Sequence, residues 1–368
     1  MSAADYKKPR KSDFPQCAKD ALTRIESLCT SKKNQDRCLE LIAECIFLEK
    51  KADLSSKRST STGLTVFQEF QLVLVFAQYF SRPGPDVTRN AVFLCLFGNT
   101  SLPPARSRVL SKFISTAISD SIAPILCAAG TWMQQVGPNA LACLELAQRL
   151  IEDFIIYQKS CCDQLKSLPM VAPRFAVNFM TSVADLYFKE IGNDIATPPD
   201  SLIELFTEWI SENPNLCSET QPQLDLPSGA IPMALISPTE GLIRWCTLSP
   251  LFLPLNDLIY SKLHLAVLQS LTQASQNNST PTTINALTLG TIVDSICNQA
   301  ERYRMQNIEP NTDERMQICL ERFSQAIQLG IMSRVITGSV SQLLRRLETL
   351  PSNALLEMVL ENQKPTYL

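Results

Sequence analysis

Residues 237–271, SPTEGLIRWCTLSPLFLPLNDLIYSKLHLAVLQSL, decide the fold class of this 368-residue chain. Ser237-Pro238-Thr239-Glu240 reads as a helix start: Ser at the cap, Pro at the first helical position, and Glu three residues on, reaching back to the cap. Leu242, Trp245 and Cys246 then repeat at helical spacing. A second helix is predicted from about Asp257, with Ile259, Leu263, Ala266 and Val267 along one stripe. The segment is two helices with legible ends and no reactive group.

The same pattern extends in both directions. Helices are predicted at 14–30 and 34–51, with a polar loop at 53–63. Leu64 to Phe80 holds Phe67, Phe70, Leu74, Phe76 and Tyr79 and is apolar nearly all round, which predicts a central, buried helix. Further helices are expected at 86–97, 103–120, 122–135 and 138–158, from Pro173 through Phe175, Phe179 and Val183, and over Leu202 to Ile210, where Thr197 caps and Pro198-Pro199 opens the helix. Beyond residue 271, helices are expected from Pro281 to Met305, from Asn311, over Val340–Leu347, and from near Asn353. No strand alternation is sustained. The reading is all-α: an α-solenoid of stacked helical hairpins, HEAT- or armadillo-like, with a compact all-helical globule as the alternative. Along the chain it gives a disordered basic tail at 1–13, a helical block at 14–214, a proline-rich loop or linker at 215–236, and a second helical block at 237–368.

Composition narrows the function classes. Glycine occurs 11 times, where average usage of about 7% would give roughly 26. Phosphate-cradling loops and hairpin turns need glycine at positive φ, so nucleotide-binding α/β folds are disfavoured. Charged residues make up 19% of the chain, below the usual quarter or so, which implies that much of the surface is covered by this chain or by a partner. A net charge of −3 gives no basis for broad nucleic-acid binding. The exception is the cluster Lys7, Lys8, Arg10 and Lys11, a candidate nuclear-import signal, with a solvated tail as the plain alternative. The 13 cysteines form no Cys-x-x-Cys pair, and Cys143, Cys246, Cys297 and Cys319 sit in apolar helical patterns, as reduced, buried thiols would. The uncharged run from Ser121 to Leu144 is broken by Pro124, Gly130 and Gly137-Pro138. It reads as two packed helices joined at Gly137-Pro138, not as a membrane span.

Catalytic and metal-binding patterns are missing from the sequence. His264 is the one histidine and reads as a helix-packing residue, since a general base needs a positioned partner. Cys38 and Cys45 are seven apart, and the side chains of Cys161 and Cys162 diverge. Neither pair has zinc-ligand spacing. No nucleophile elbow or Walker loop occurs, and no cofactor is expected. Trp132, Trp209 and Trp245 read as core anchors. Adjacent helical residues point about 100° apart, so with Trp245 buried, Arg244 reaches either the surface or a neighbouring helix. Arg244, Trp245, Tyr260 and Lys262, on the Gly241–Leu271 helix pair, are the candidate protein-interface residues. Charge reversal at Arg244 and Lys262 is expected to weaken partner binding and leave the fold intact.

Two blocks carry a family resemblance. One is Gly241-Leu242-Ile243-Arg244-Trp245-Cys246 followed by Tyr260-Ser261-Lys262-Leu263-His264-Leu265. The other is Pro173-Arg174-Phe175, Thr181-Ser182-Val183, Leu186-Tyr187, Pro198-Pro199, Trp209-Ile210 and Asn213-Pro214. In order and spacing they resemble the Integrator complex subunit 15 family, with weaker similarity over Glu69–Phe80, at Trp132, at Arg322 and at Leu355-Leu356. The chain departs from the vertebrate members in a short connection at Pro250–Leu258 and in stopping at Leu368. The resemblance implies a helical, nuclear, non-enzymatic subunit of an assembly that processes small nuclear RNA and attenuates RNA polymerase II transcription. It implies partners in the module containing subunits 10, 13 and 14, with no sequence-specific nucleic acid and no membrane. Two other readings stand beside it: a stand-alone helical adaptor or transport-type protein, and an enzyme using Asp, Glu or Cys in a helical cleft.

Overall fold

Helices begin where a side chain or a proline suits the first turn. The computed structural model describes residues 13–29, 34–49, 63–157, 162–191, 194–217, 237–254, 258–274 and 284–367, and these are all-α. α1 (Gln16–Leu28) is followed by α2 (Gln35–Leu41), which runs into a π-helical turn at Ile42–Ile46. α3 (Val66–Phe80) opens on a capping box: Thr65 Oγ1 accepts from the Gln68 N–H, and Gln68 Oε1 accepts from the Thr65 N–H at 2.9 Å. Two donors that a helix start leaves without partners are thereby satisfied. Then come α4 (Asp86–Phe97), α5 (Pro104–Ser119), α6 (Ala123–Val136) and α7 (Leu141–Ile151). Gly137, at φ 101°, separates α6 from α7 in a backbone state that a Cβ disfavours, so the uncharged run is two helices, as expected. No helix among the described residues is long and apolar enough to cross a membrane.

The chain continues through the short α8 (Cys162–Lys166) and α9 (Leu168–Val171) to α10 (Pro173–Ala184) and α11 (Asp200–Glu212). α12 (Thr239–Phe252) and α13 (Leu258–Ala274) form the helix pair quoted above. α14 (Ala286–Met305), α15 (Glu314–Met332), α16 (Val340–Leu347) and α17 (Ala354–Tyr367) complete the helices. Strands among the described residues are two-residue bridges: Glu190–Ile191 antiparallel to Asp194–Ile195, and Ile284–Asn285 parallel to Ile336–Thr337. Several helix starts fall later than expected. α14 begins after Asn285 and α15 after Asp313, because their side-chain oxygens accept from the Leu287 and Met316 N–H groups. α11 opens after Pro199 without a side-chain cap. α17 starts near Asn353 as expected, and Asn353 Oδ1 accepts from the N–H groups of Leu355 and Leu356.

The packing divides into two compact units. In the first, built from residues up to Asp153 and Met170–Phe175, α3 packs on α5, α5 on α7 and α4 on α6. Its centre is aromatic. The Phe76 ring meets Phe47, Phe80, Phe97 and Phe113 edge-on, with centroids 5.5–6.3 Å apart. Trp132 lies beside Phe93 and donates its indole N–H to the Phe97 carbonyl at 2.6 Å. Glu69 is buried on α3 and takes hydrogen bonds from Arg108 and Lys112 on α5. Burial opposes its ionisation, but those two cations outweigh burial and hold its pKa below the usual value.

α3 is not the wholly buried helix its composition predicts. Leu72, Val73, Val75, Phe76 and Phe80 face the core, whereas Val66, Phe67, Phe70 and Leu74 are exposed. One face of a helix can pack on α5 and the core, and nothing among the described residues covers the opposite face.

The second unit comprises Phe154–Pro169 and the described residues from Ala176 on. Here α11 packs on α13, and α12 packs on α13, α14 and α15. Helices on either side of residues 218–236 therefore share one core. Phe206 lies against Phe179, Trp209 and Trp245, and Tyr187 meets Trp245 edge-on at 5.7 Å. All three tryptophans are buried, as expected of core anchors. Lys7, Lys8, Arg10 and Lys11, the polar stretch 53–62, Cys161, and residues 218–236 of the expected linker lie outside the described residues.

Candidate functional site

The α12–α13 pair is the candidate site, and its polar side chains point inward. Gly241 lets α12 approach the end of α10: a Cβ there would stand 2.6 Å from the Ala184 Cβ. Ala184 is the last residue of α10, where carbonyls have no donor within the helix. The approach brings two donors to it. Arg244 Nη2 donates to the Ala184 carbonyl at 2.7 Å and the Trp245 indole N–H at 3.1 Å. Asp185 Oδ1 lies 3.6 Å from the Arg244 guanidinium.

The start of α12 differs from the expected capping box. The helix begins at Thr239, one residue late, so Glu240 sits at the second helical position and does not reach back to the cap. Ser237 Oγ instead donates to the Cys217 carbonyl at 2.9 Å and accepts from the Thr239 N–H. Glu240 turns to α14 and accepts from the Asn285 N–H. Burial raises the Glu240 pKa, partly offset by hydrogen bonds from Asn285 and Thr288.

The end of α12 repeats this pattern. Pro250 lies inside the helix. Lacking an N–H, it leaves the Cys246 carbonyl, four residues back, without its helical donor. Two side chains replace it: Ser249 Oγ donates to the Cys246 carbonyl at 3.2 Å from within the helix, and Arg322 Nη1 of α15 donates to that carbonyl at 3.0 Å and to Ser249 Oγ at 3.1 Å, while Nη2 reaches Ser261 Oγ on α13 at 2.8 Å. One guanidinium thus ties three helices together.

His264 is a packing histidine, as expected. It is buried, and its Nε2 lies 2.7 Å from Gln325 Oε1, so Nε2 carries the proton and donates. Burial lowers its pKa below 6.5, with the Gln325 bond opposing and the Arg322 charge assisting. A depressed histidine contributes stability that is fully present above the unfolded value near 6.5 and is lost as pH falls toward the folded pKa. Chemical denaturation at pH 7.5, 6.5 and 5.5 is therefore expected to show stability falling across this range in the native chain, and less steeply in His264→Gln. Parallel slopes for the two proteins would refute this.

The four candidate interface residues are not presented together. Trp245 and Tyr260 are buried and Arg244 is 12% exposed; Lys262 is exposed. For Arg244, the neighbouring-helix alternative is the one realised. Sequence reading missed Pro250 as the origin of an orphan carbonyl, and with it the part Arg322 plays; a proline within a helical pattern was the available signal. The described cysteines are all free. Burial pushes Cys143, Cys217 and Cys246 up to about 12 and Cys319 higher, so these are inert thiols. Cys297 is half-buried, with its Sγ near Thr349. No group of three His, Cys, Asp or Glu among the described residues is placed to hold a metal ion.

Comparison with known proteins gives one family. The model for Integrator complex subunit 15 matches residues 7–352. Integrator complex subunit 15 of Drosophila melanogaster is 44% identical over 96% of this chain and 94% of its own length. The Danio rerio protein of that name is 29% identical over 88% of this chain and 71% of its own length, and the Homo sapiens protein 28% identical over 88% and 77%.

Proposed function

The chain belongs to the Integrator complex subunit 15 family, and from that premise we propose that it is a non-catalytic scaffold subunit of the nuclear Integrator complex. In this reading it joins modules that act in small nuclear RNA 3′-end processing and in attenuation of RNA polymerase II transcription. Its direct partners are other Integrator subunits, in the module containing subunits 10, 13 and 14. The chemistry of cleavage belongs to other subunits.

The observation that carries the proposal is similarity to the fly subunit running nearly end to end. The chemistry of the α12–α15 region supports it. Arg244, Trp245, Arg322 and Ser237 are engaged with backbone carbonyls, and His264 with an amide oxygen. These bonds stiffen a helical framework. The test is affinity purification of the tagged full chain from its own cells, with mass spectrometry of what comes along. Integrator subunits are expected in near-stoichiometric amounts, in nuclear extract. A clean monomer, or an unrelated partner set, would overturn the proposal.

A further inference from the structure

α3 carries two apolar faces, and only one of them is used within the first unit. On the other, Val66, Phe67, Phe70 and Leu74 are 68, 71, 57 and 68% exposed. Their spacing of three, four and seven residues puts them in one stripe along about 12 Å of helix at 1.5 Å per residue. Single exposed apolar residues are ordinary, but a contiguous stripe of large ones marks an interaction site. The stripe has a basic border. Lys112 Nζ lies 5.2 Å from the centre of the Phe70 ring, with Arg108 one turn away on the same helix. Both pair with the buried Glu69, which leaves one positive charge in excess.

We propose that this face of α3 docks an amphipathic helix of a partner protein, one whose apolar stripe is flanked by Asp and Glu. Side chains at three- and four-residue spacing form ridges that fit the grooves of another helix. Acidic flanks on that helix would meet Arg108 and Lys112, and complementary charge of this kind sets partner choice and orientation. A second copy of this chain would bring the same basic border against itself. The preceding segment 50–62 has only Ala52 and Leu54 as apolar residues, too few to cover the stripe. The inference rests on the reading of the chain as an assembly subunit.

The test places a photo-crosslinking phenylalanine analogue at position 70 of the tagged full-length protein in cells, purifies the complex, and sequences the linked peptide. The result expected is a link to a segment of a co-purifying subunit that has helical apolar spacing and flanking acidic residues. In parallel, Phe67→Ser with Leu74→Ser is expected to lower recovery of that same subunit about tenfold, as loss of one or two hot-spot contacts would, with an unchanged melting temperature because both side chains are exposed. A link to a second copy, to residues 218–236 of this chain or to lipid would overturn the proposal, as would unchanged recovery of every subunit by the double variant. If the unsubstituted protein brings down no Integrator subunit, the scaffold reading falls, and this inference with it. If it brings them down while position 70 links to none, only the α3 surface falls.

Discussion

Arg244→Glu is expected to destabilise the second unit strongly, whereas Lys262→Glu is expected to leave its stability unchanged. Arg244 is 12% exposed and donates to the last carbonyl of α10, with Asp185 beside it. A glutamate there cannot donate. It would place a third carboxylate near Asp185 and Glu240, and burial already disfavours the charge of Glu240. Breaking a buried, hydrogen-bonded charge in this way costs about 3–5 kcal/mol, a large share of the roughly 5–15 kcal/mol that holds a domain folded. Lys262 is exposed on α13, where a substitution is worth within about 0.5 kcal/mol. Urea denaturation of both variants decides the matter, and an Arg244→Glu midpoint close to the native one would refute the burial argument. The expectation that both charges can be reversed with the fold intact therefore applies to Lys262 alone, and only Lys262→Glu reports on binding without also reporting on stability.

The second large effect is expected at Phe76→Ala. Four rings surround Phe76 edge-on at 5.5–6.3 Å, and its side chain is fully buried. Removing it loses the transfer energy of the ring and leaves a cavity that the surrounding rings fill only partly, at a cost of about 3–5 kcal/mol. Phe67→Ala, about two and a half turns toward the start of the same helix, should change stability by no more than about 0.5 kcal/mol because its ring is exposed. The comparison uses one residue type on one helix and separates its two faces. A Phe76→Ala midpoint no lower than that of Phe67→Ala would show that the Phe76 cluster is not the core of the first unit.

Local signals explain what was legible in the sequence. Apolar spacing near 3.6 and proline placement located the helices, and the expected span 86–97 is the observed α4. The bend at Gly137 was readable because a glycine-proline pair cannot continue a helix. The tryptophans and His264 were readable as packing residues because each sat on an apolar stripe without a partner for chemistry. Long-range pairing was not legible. Nothing local in Arg244 says that the end of α10 lies within its reach, and nothing local in Arg322 points to Cys246. The α3 helix failed for a related reason. Periodicity reports how much apolar surface a helix has, and that surface reads the same whether it meets this chain's core or another protein.

The bond between Arg322 and the Cys246 carbonyl also bears on how the chain is made. The two residues are 76 positions apart, so at roughly 5–20 residues per second the ribosome reaches Arg322 roughly 4–15 s after Cys246. During that interval the Cys246 carbonyl has the Ser249 hydroxyl, at 3.2 Å, in place of the backbone donor that Pro250 lacks, and the last turn of α12 is without its tie to α15. The nascent second unit is therefore expected to stay loosely formed and within reach of chaperones until α15 emerges, while the first unit, whose main aromatic cluster ends at Trp132, has already been synthesised. Truncated nascent chains stalled before and after residue 322 would differ in protease resistance over residues 239–274.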